Sequence, residues 1–120
     1  MNDISLTNAE YRFASIVWDN EPIASPELCK LCEQQLGWKR TTTYTVLKRL
    51  CDRGVMQNQA TIVTALVPRD QVQQYTSRSI VENRFNDNLP QFIATFLQGR
   101  QISASEAEQI KSLIDSHKER

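Results

Sequence analysis

A mainly α-helical fold with one small β-hairpin is what these 120 residues predict, and three observations carry it. Apolar residues recur at three- and four-residue spacing through three segments ahead of residue 54, each with its own start or stop signal. The run "VMQNQATIVTALV", 55 to 67, breaks that period with Val, Ile and Thr and carries no charge. Beyond Pro68 helical spacing returns in three further segments.

The first helix opens at Thr7. Thr7 and Glu10 spell the capping box T-x-x-E, and Leu6 and Tyr11 occupy the positions of a hydrophobic staple. Tyr11, Phe13, Ala14, Ile16, Val17 and Trp18 supply its apolar spacing, and the turn-rich "DNEP" ends it. Ser25-Pro26 predicts an N-cap followed by proline at the first helical position. Leu28, Leu31, Cys32 and Leu36 make one face of that second helix, and Gly37 is its natural C-cap. The third helix is predicted from Thr41 or Thr42 to Gly54. Thr43, Val46, Leu47 and Leu50 form its core stripe, and Thr41, Thr42, Tyr44, Thr45 and Lys48 rotate outward. The uncharged run reads as a β-hairpin with a polar centre at Gln57-Asn58-Gln59. Residues 69 to 86 then read as a polar helix studded with Val72, Tyr75, Ile80, Val81 and Phe85. Pro90 breaks that segment ahead of the short, apolar "QFIATFLQG". Ser103-x-x-Glu106, a second capping box, opens a last helix carrying Ala107, Ile110, Leu113 and Ile114 on one face.

Three helices followed by a two-stranded hairpin make the winged helix-turn-helix arrangement, in which the third helix enters a DNA major groove and the hairpin lies along the backbone. The expected division is therefore a winged-helix DNA-binding domain over 1–68 and a helical dimerisation region over 69–120. The three helices of the second part cannot bury their apolar faces alone, and a second copy of the chain is the simplest cover.

Charge sharpens the expectation. Basic and acidic residues number 14 each, so the total says nothing of partners. Their distribution does: residues 37 to 54 hold Lys39, Arg40, Lys48, Arg49 and Arg53 against the single Asp52, a net +4. Thr and Tyr are mediocre helix formers, so filling an outward face with them weakens the helix without packing. Their hydroxyls can meet base edges or phosphates, and Thr methyls can touch a thymine methyl. A solvated face with scattered positive charge is the plain alternative.

Other classes fare worse. No apolar run approaches the ~20 residues of a membrane span, and the start has no secretory pattern. The odd count of three cysteines reads as reduced thiols, so the expected compartment is the cytoplasm, without direct membrane binding. No glycine-rich phosphate loop or nucleophile–base set is evident, so no enzyme, cofactor or catalytic residue is assigned. Cys29-x-x-Cys32 with Cys51 can be written as a thiol or metal sensor, but small apolar cysteines at a helix contact account for the same residues. His117, the single histidine, falls in the terminal tail, and no metal site is assigned.

Two stretches carry a family resemblance. Glu10-Tyr11-x-Phe13-Ala14-x-Ile16-Val17-Trp18 resembles the E-W-x-V-M-x-x-x-W first helix of the penicillinase-repressor family (the BlaI/MecI/CopY type). Trp38-x-x-x-Thr42-x-x-Thr45-x-Leu47-x-Arg49-Leu50-x-x-x-Gly54 is similar to its W-x-x-x-T-V-x-T-L-L-x-R-L-x-x-K-G signature. The resemblance implies a homodimeric repressor of double-stranded operator DNA. By position it assigns Thr41, Thr42, Tyr44 and Thr45 to the DNA-reading face and Arg49 to the family's recurring arginine; the helix order itself, rather than the resemblance, sets Lys39, Arg40, Lys48 and Arg49 where phosphates would run. It also implies control of β-lactam resistance or a related stress response. A membrane-bound sensor metalloprotease would relieve repression by cleavage in the dimerisation region, at Thr95-Phe96. Dimer core is the plainer reading of Phe92, Ile93, Phe96 and Leu97, and the usual Asn before the Phe is missing. The wing departs most: the family carries arginines and a Gly-Arg pair there, whereas Val55 to Val67 is uncharged, so Gln57, Asn58 and Gln59 are expected to make neutral contacts at most. A winged-helix protein-interaction module remains the alternative, as does a thiol- or metal-responsive regulator.

Overall fold

The computed structural model describes residues 4–119. Helix α1 (Asn8–Asn20) leads through the short strand β1 (Ile23–Ala24) to α2 (Ser25–Leu36) and α3 (Arg40–Asp52). Strands β2 (Met56–Gln59) and β3 (Ile62–Ala65) follow, then α4 (Arg69–Arg84), α5 (Leu89–Leu97) and α6 (Ala104–His117). Two compact units divide between Ile80 and Val81, inside α4.

In the first unit the core is built from the stripes the spacing predicts. Phe13, Ala14, Ile16 and Val17 of α1 meet Leu28 and Cys32 of α2 and Val46, Leu47 and Leu50 of α3, with Val55, Met56 and Val63 closing the floor. The α1 capping box is complete: Thr7 Oγ1 accepts from the Glu10 N–H at 3.1 Å, and Glu10 Oε1 accepts from the Thr7 N–H at 2.9 Å. The α2 start differs from expectation. Its N-cap is Ala24, and Ser25 lies one position inside, buried, because Ala24 is committed to β1.

The sheet has three strands in the order β1-β3-β2, all antiparallel. β1 falls between the turn-rich "DNEP" and Ser25, on two residues for which the sequence predicts no element, and it pairs Ile23 with Val63 and Ala24 with Ile62. Past the end of that two-residue strand, Glu21 Oε1 accepts the Ala65 N–H at 2.9 Å, standing in for a ladder carbonyl. The Gln57-Asn58-Gln59 triplet is not the hairpin's turn but part of β2, opposite Thr64, Val63 and Ile62. The turn is Ala60-Thr61, both left-handed at φ 52° and 66°. Positive φ at both central positions is the type I′ turn, one of the two two-residue loops that match the strand twist, and it costs an L-residue with a Cβ roughly 1–2 kcal/mol. Replacing Ala60-Thr61 by Asn-Gly should therefore stabilise the unit by about 1–2 kcal/mol, seen as a higher urea midpoint; an unchanged midpoint would contradict the turn geometry.

The first turns of α4 pack with this unit. Val72 is fully buried, Arg69 Nη2 donates to Asp19 Oδ1 at 2.6 Å, and the Arg69 guanidinium lies 5.3 Å from the Trp18 ring centroid. Trp18 Nε1 donates to the Val67 carbonyl at 3.0 Å. A fragment ending at residue 80 should accordingly be more stable to urea than one ending at 68, by about 2 kcal/mol for the burial of Val72 alone. Equal midpoints would show that α4 adds nothing.

In the second unit Asn88 caps α5, accepting from the Gln91 N–H at 3.0 Å. Ser103 caps α6 through the Glu106 N–H at 3.0 Å, the Ser103 half of the expected box. Phe85 meets Phe92 edge-on at 5.3 Å, and Phe92 meets Phe96 at 6.2 Å. No residue of α5 or α6 is buried.

Candidate nucleic-acid interface

The helix-turn-helix joint rests on Gly37. At φ 69° it ends α2, its N–H donating to Glu33 O at 3.0 Å and the next N–H, of Trp38, to Cys32 O at 3.3 Å. An L-side chain is disfavoured there by the backbone alone. Trp38 then stacks on Phe13 at 6.0 Å, 11° from parallel, which ties the joint to α1. Three residues on, α3 starts at Arg40 with Lys39 as N-cap, slightly earlier than expected.

Thr43, Val46, Leu47 and Leu50 are buried as predicted. Opposite them, Thr41, Thr42, Thr45, Lys48 and Arg49 are exposed. Thr45 Oγ1 donates its proton to the Thr41 carbonyl at 2.9 Å. That leaves the hydroxyl oxygen as an acceptor on an exposed side chain, suited to a base-edge amino group or a thymine methyl. Tyr44 departs from the outward position expected of it. It is half-buried, its hydroxyl donates to Ser25 Oγ at 3.2 Å, and the Arg40 guanidinium lies 5.6 Å from its ring centroid. Tyr44 thus braces α3 against the start of α2.

The basic island is less free than its +4 suggests. Arg49 Nε donates to Glu10 Oε2 at 2.9 Å, and Arg53 Nη1 approaches Glu10 Oε1 at 3.5 Å. Arg53 also bonds the Ser5 carbonyl. Glu10 is only 4 % exposed. Burial pushes its carboxyl upward, but the Thr7 N–H, the Arg49 hydrogen bond and the charges of Arg49 and Arg53 outweigh that and hold it below the ordinary 4.5. Lys48 Nζ pairs with Asp52 Oδ2 at 3.1 Å. Lys39 and Arg40, at the N-terminal end of α3, have no carboxylate partner among the described residues.

On the wing, the register puts Gln57, Gln59, Ile62 and Thr64 on one face. Gln57 Nε2 donates to Gln59 Oε1 at 2.6 Å. Cys29 and Cys32 are buried and Cys51 half-buried. Burial pushes the Cys32 thiol up to about 11 and raises Cys51 as well, so both stay protonated near neutrality. Among the described residues no group of three His, Cys, Asp or Glu is placed to hold a metal. None of their helices is long and apolar enough to cross a membrane. Thr95 and Phe96 lie in α5, both exposed, with the Arg100 guanidinium 4.9 Å from the Phe96 ring.

Three helices, a three-stranded sheet whose β2–β3 hairpin projects after α3, and a third helix with an open polar face define a winged helix-turn-helix domain. The solution structure of the monomeric form of BlaI from Bacillus licheniformis, in complex with the blaP half-operator, has the same fold. Its TM-score is 0.51 at 21 % identity, over 59 % of this chain and 93 % of that one. The chain belongs to the penicillinase repressor family, whose profile matches residues 6–116. It is 22 % identical to the penicillinase repressor of Bacillus licheniformis over 96 % of this chain and 93 % of the relative. It is 18 % identical to the methicillin resistance regulatory protein MecI of Staphylococcus aureus, over 92 % and 93 %.

Sequence reasoning missed two supporting residues. Glu10 reads as a capping residue alone, since nothing in T-x-x-E reveals that its carboxylate also faces two arginines some forty positions on. Ser25 reads as an N-cap, and its bond to Tyr44 has no local signal.

Proposed function

We propose that the chain is a homodimeric transcriptional repressor that binds a dyad operator with the outward face of α3, in the cytoplasm. The observation that carries this reading is the exposed run Thr41, Thr42 and Thr45 beside Lys39 and Arg40, at the N-terminal half of the third helix. That half of a recognition helix is the part that reaches base edges. Family membership supports the repressor role, and the exposed apolar residues of α5 and α6 support a second copy as partner. Lys48 and Arg49 add phosphate contacts when their carboxylate pairs exchange for DNA, and Tyr44 fixes the helix against α2 through its bond to Ser25. The proposed division keeps DNA reading in residues 1–68 and dimerisation in residues 69–120, although the first turns of α4 pack with the first unit.

The test is a binding titration of the full chain against the DNA upstream of its own gene and a random duplex of equal length. Thr42→Ala and Thr45→Ala should each weaken the specific complex about tenfold, the worth of a base contact of ~1–3 kcal/mol, and leave random-duplex binding unchanged. No preference in the wild type would instead favour the protein-interaction module that the uncharged wing suggests.

Relief of repression is proposed at Thr95-Phe96, by a membrane-bound sensor metalloprotease answering a β-lactam or related stress. The pair lies within helix, so cleavage requires α5 to unwind locally. Co-expression with the cognate sensor and addition of a β-lactam should give two fragments divided at that bond. A chain that stays intact throughout leaves Phe96 as dimer core only.

A further inference from the structure

Thr41, Thr45, Lys48 and Asp52 stand at i, i+4, i+7 and i+11, one straight stripe opposite the buried Thr43–Val46–Leu47–Leu50 stripe. The stripe begins with two threonines and ends with a carboxylate, an unexpected group on a surface read as facing a polyanion. Stability does not explain it. Asp52 is the last residue of α3, where a negative charge opposes the helix dipole. Its i,i+4 pair with Lys48 is 78 % and 66 % exposed, a geometry worth little. Departures from local rules without a packing gain concentrate at functional or strained sites.

Resting on the DNA-reading role of α3, we propose that Asp52 is a specificity-determining residue that holds down sequence-independent DNA affinity. It does so in two ways. It occupies the Lys48 ammonium, so that a phosphate must displace a carboxylate to reach that lysine. It also places a negative charge beside the backbone at the C-terminal half of the helix, where a phosphate meets repulsion. Non-specific binding comes almost wholly from phosphate neutralisation, so the acid lowers that part most and leaves discrimination to Thr41, Thr42 and Thr45. The uncharged wing acts in the same direction, and together they give a weakly basic, selective surface.

The experiment compares the wild type, Asp52→Asn and Asp115→Asn as full chains, on the DNA upstream of its own gene and on a random duplex, from 50 to 300 mM salt. Asp115→Asn makes the same charge change on exposed α6. Asp52→Asn should bind the random duplex about three- to tenfold tighter and steepen its salt slope by about 0.9 per engaged protomer. Its preference for the upstream DNA should shrink, with an unchanged melting temperature or a slightly higher one. Unchanged random-duplex affinity and slope would overturn the assignment, and so would an equal gain from Asp115→Asn, which would make the effect one of net charge. A wild type that prefers the upstream DNA while Asp52→Asn changes nothing overturns the role of Asp52 alone. A wild type with no affinity for either duplex removes the DNA-reading function and this proposal together.

Discussion

Glu10→Ala should cost the winged-helix unit about 2–3 kcal/mol, the sum of one capping bond at ~1 kcal/mol and one charge-assisted hydrogen bond at ~1.5–3 kcal/mol, less what solvent recovers. Against a total stability of ~5–15 kcal/mol for a domain, that is a large fraction. The carboxylate sits where the N-terminal turn of α1 meets the C-terminal half of α3. It closes the Thr7 cap and receives Arg49 Nε at 2.9 Å and Arg53 Nη1 at 3.5 Å. Arg49 is half-exposed, so water partly resolvates its guanidinium when Glu10 is lost, which keeps the cost below that of a wholly buried pair. The acid limb follows from the same contacts. The folded carboxyl titrates below its ordinary 4.5, so its contribution is complete above that value and is lost as pH falls through the lowered one. Urea midpoints between pH 3 and 6 should fall towards acid in the wild type, and Glu10→Gln should flatten the part that Glu10 supplies. Parallel pH profiles for the two chains would show that Glu10 is not the titrating group.

Leu113→Asp should convert the proposed dimer to a monomer and weaken operator binding by about a hundredfold or more. Linking two half-site contacts raises affinity by ~10²–10⁴ without any new contact, and separating the protomers forfeits that gain. Ile93, Phe96, Ile110, Leu113 and Ile114 are 38 % to 61 % exposed within one small unit. At ~25 cal/mol per Å² of apolar surface, that exposure is a standing drive to associate. A carboxylate among those residues would have to be desolvated on association. Sedimentation of the wild type should show a dimer at micromolar concentration and the variant a monomer with unchanged helicity. A wild-type monomer that binds operator at full strength would refute the homodimer.

Much of this architecture is legible in the sequence, and the illegible parts share a cause. The α3 core stripe is legible because Thr43, Val46, Leu47 and Leu50 repeat at helical spacing, and the Thr7 cap because its two partners are three residues apart. β1 is not, because two residues carry no period and its pairing partner lies about forty positions away. The hairpin is legible as an element, but its turn is not, since Ala60-Thr61 lacks the Gly or Asn that announces positive φ. At the site, the exposed threonines of α3 follow from the helix period alone. The partners of Arg49, Arg53 and Tyr44 are tertiary, and local pattern says nothing of them. Five basic residues in a row of eighteen therefore overstate the positive field that reaches solvent.

The two tryptophans have a practical consequence. Trp18 lies under the Arg69 guanidinium with its indole N–H on Val67, and Trp38 stacks on Phe13, so both indoles belong to the unit ahead of Val81. The chain has no third tryptophan. Indole emission therefore follows the melting of the winged-helix unit alone, whereas far-ultraviolet dichroism follows every helix. If the two units melt separately, the optical signals divide into two steps. Trp18 reports loosening of the α1–α4 contact, Trp38 reports the joint ahead of α3, and the helices beyond Val81 contribute no indole signal.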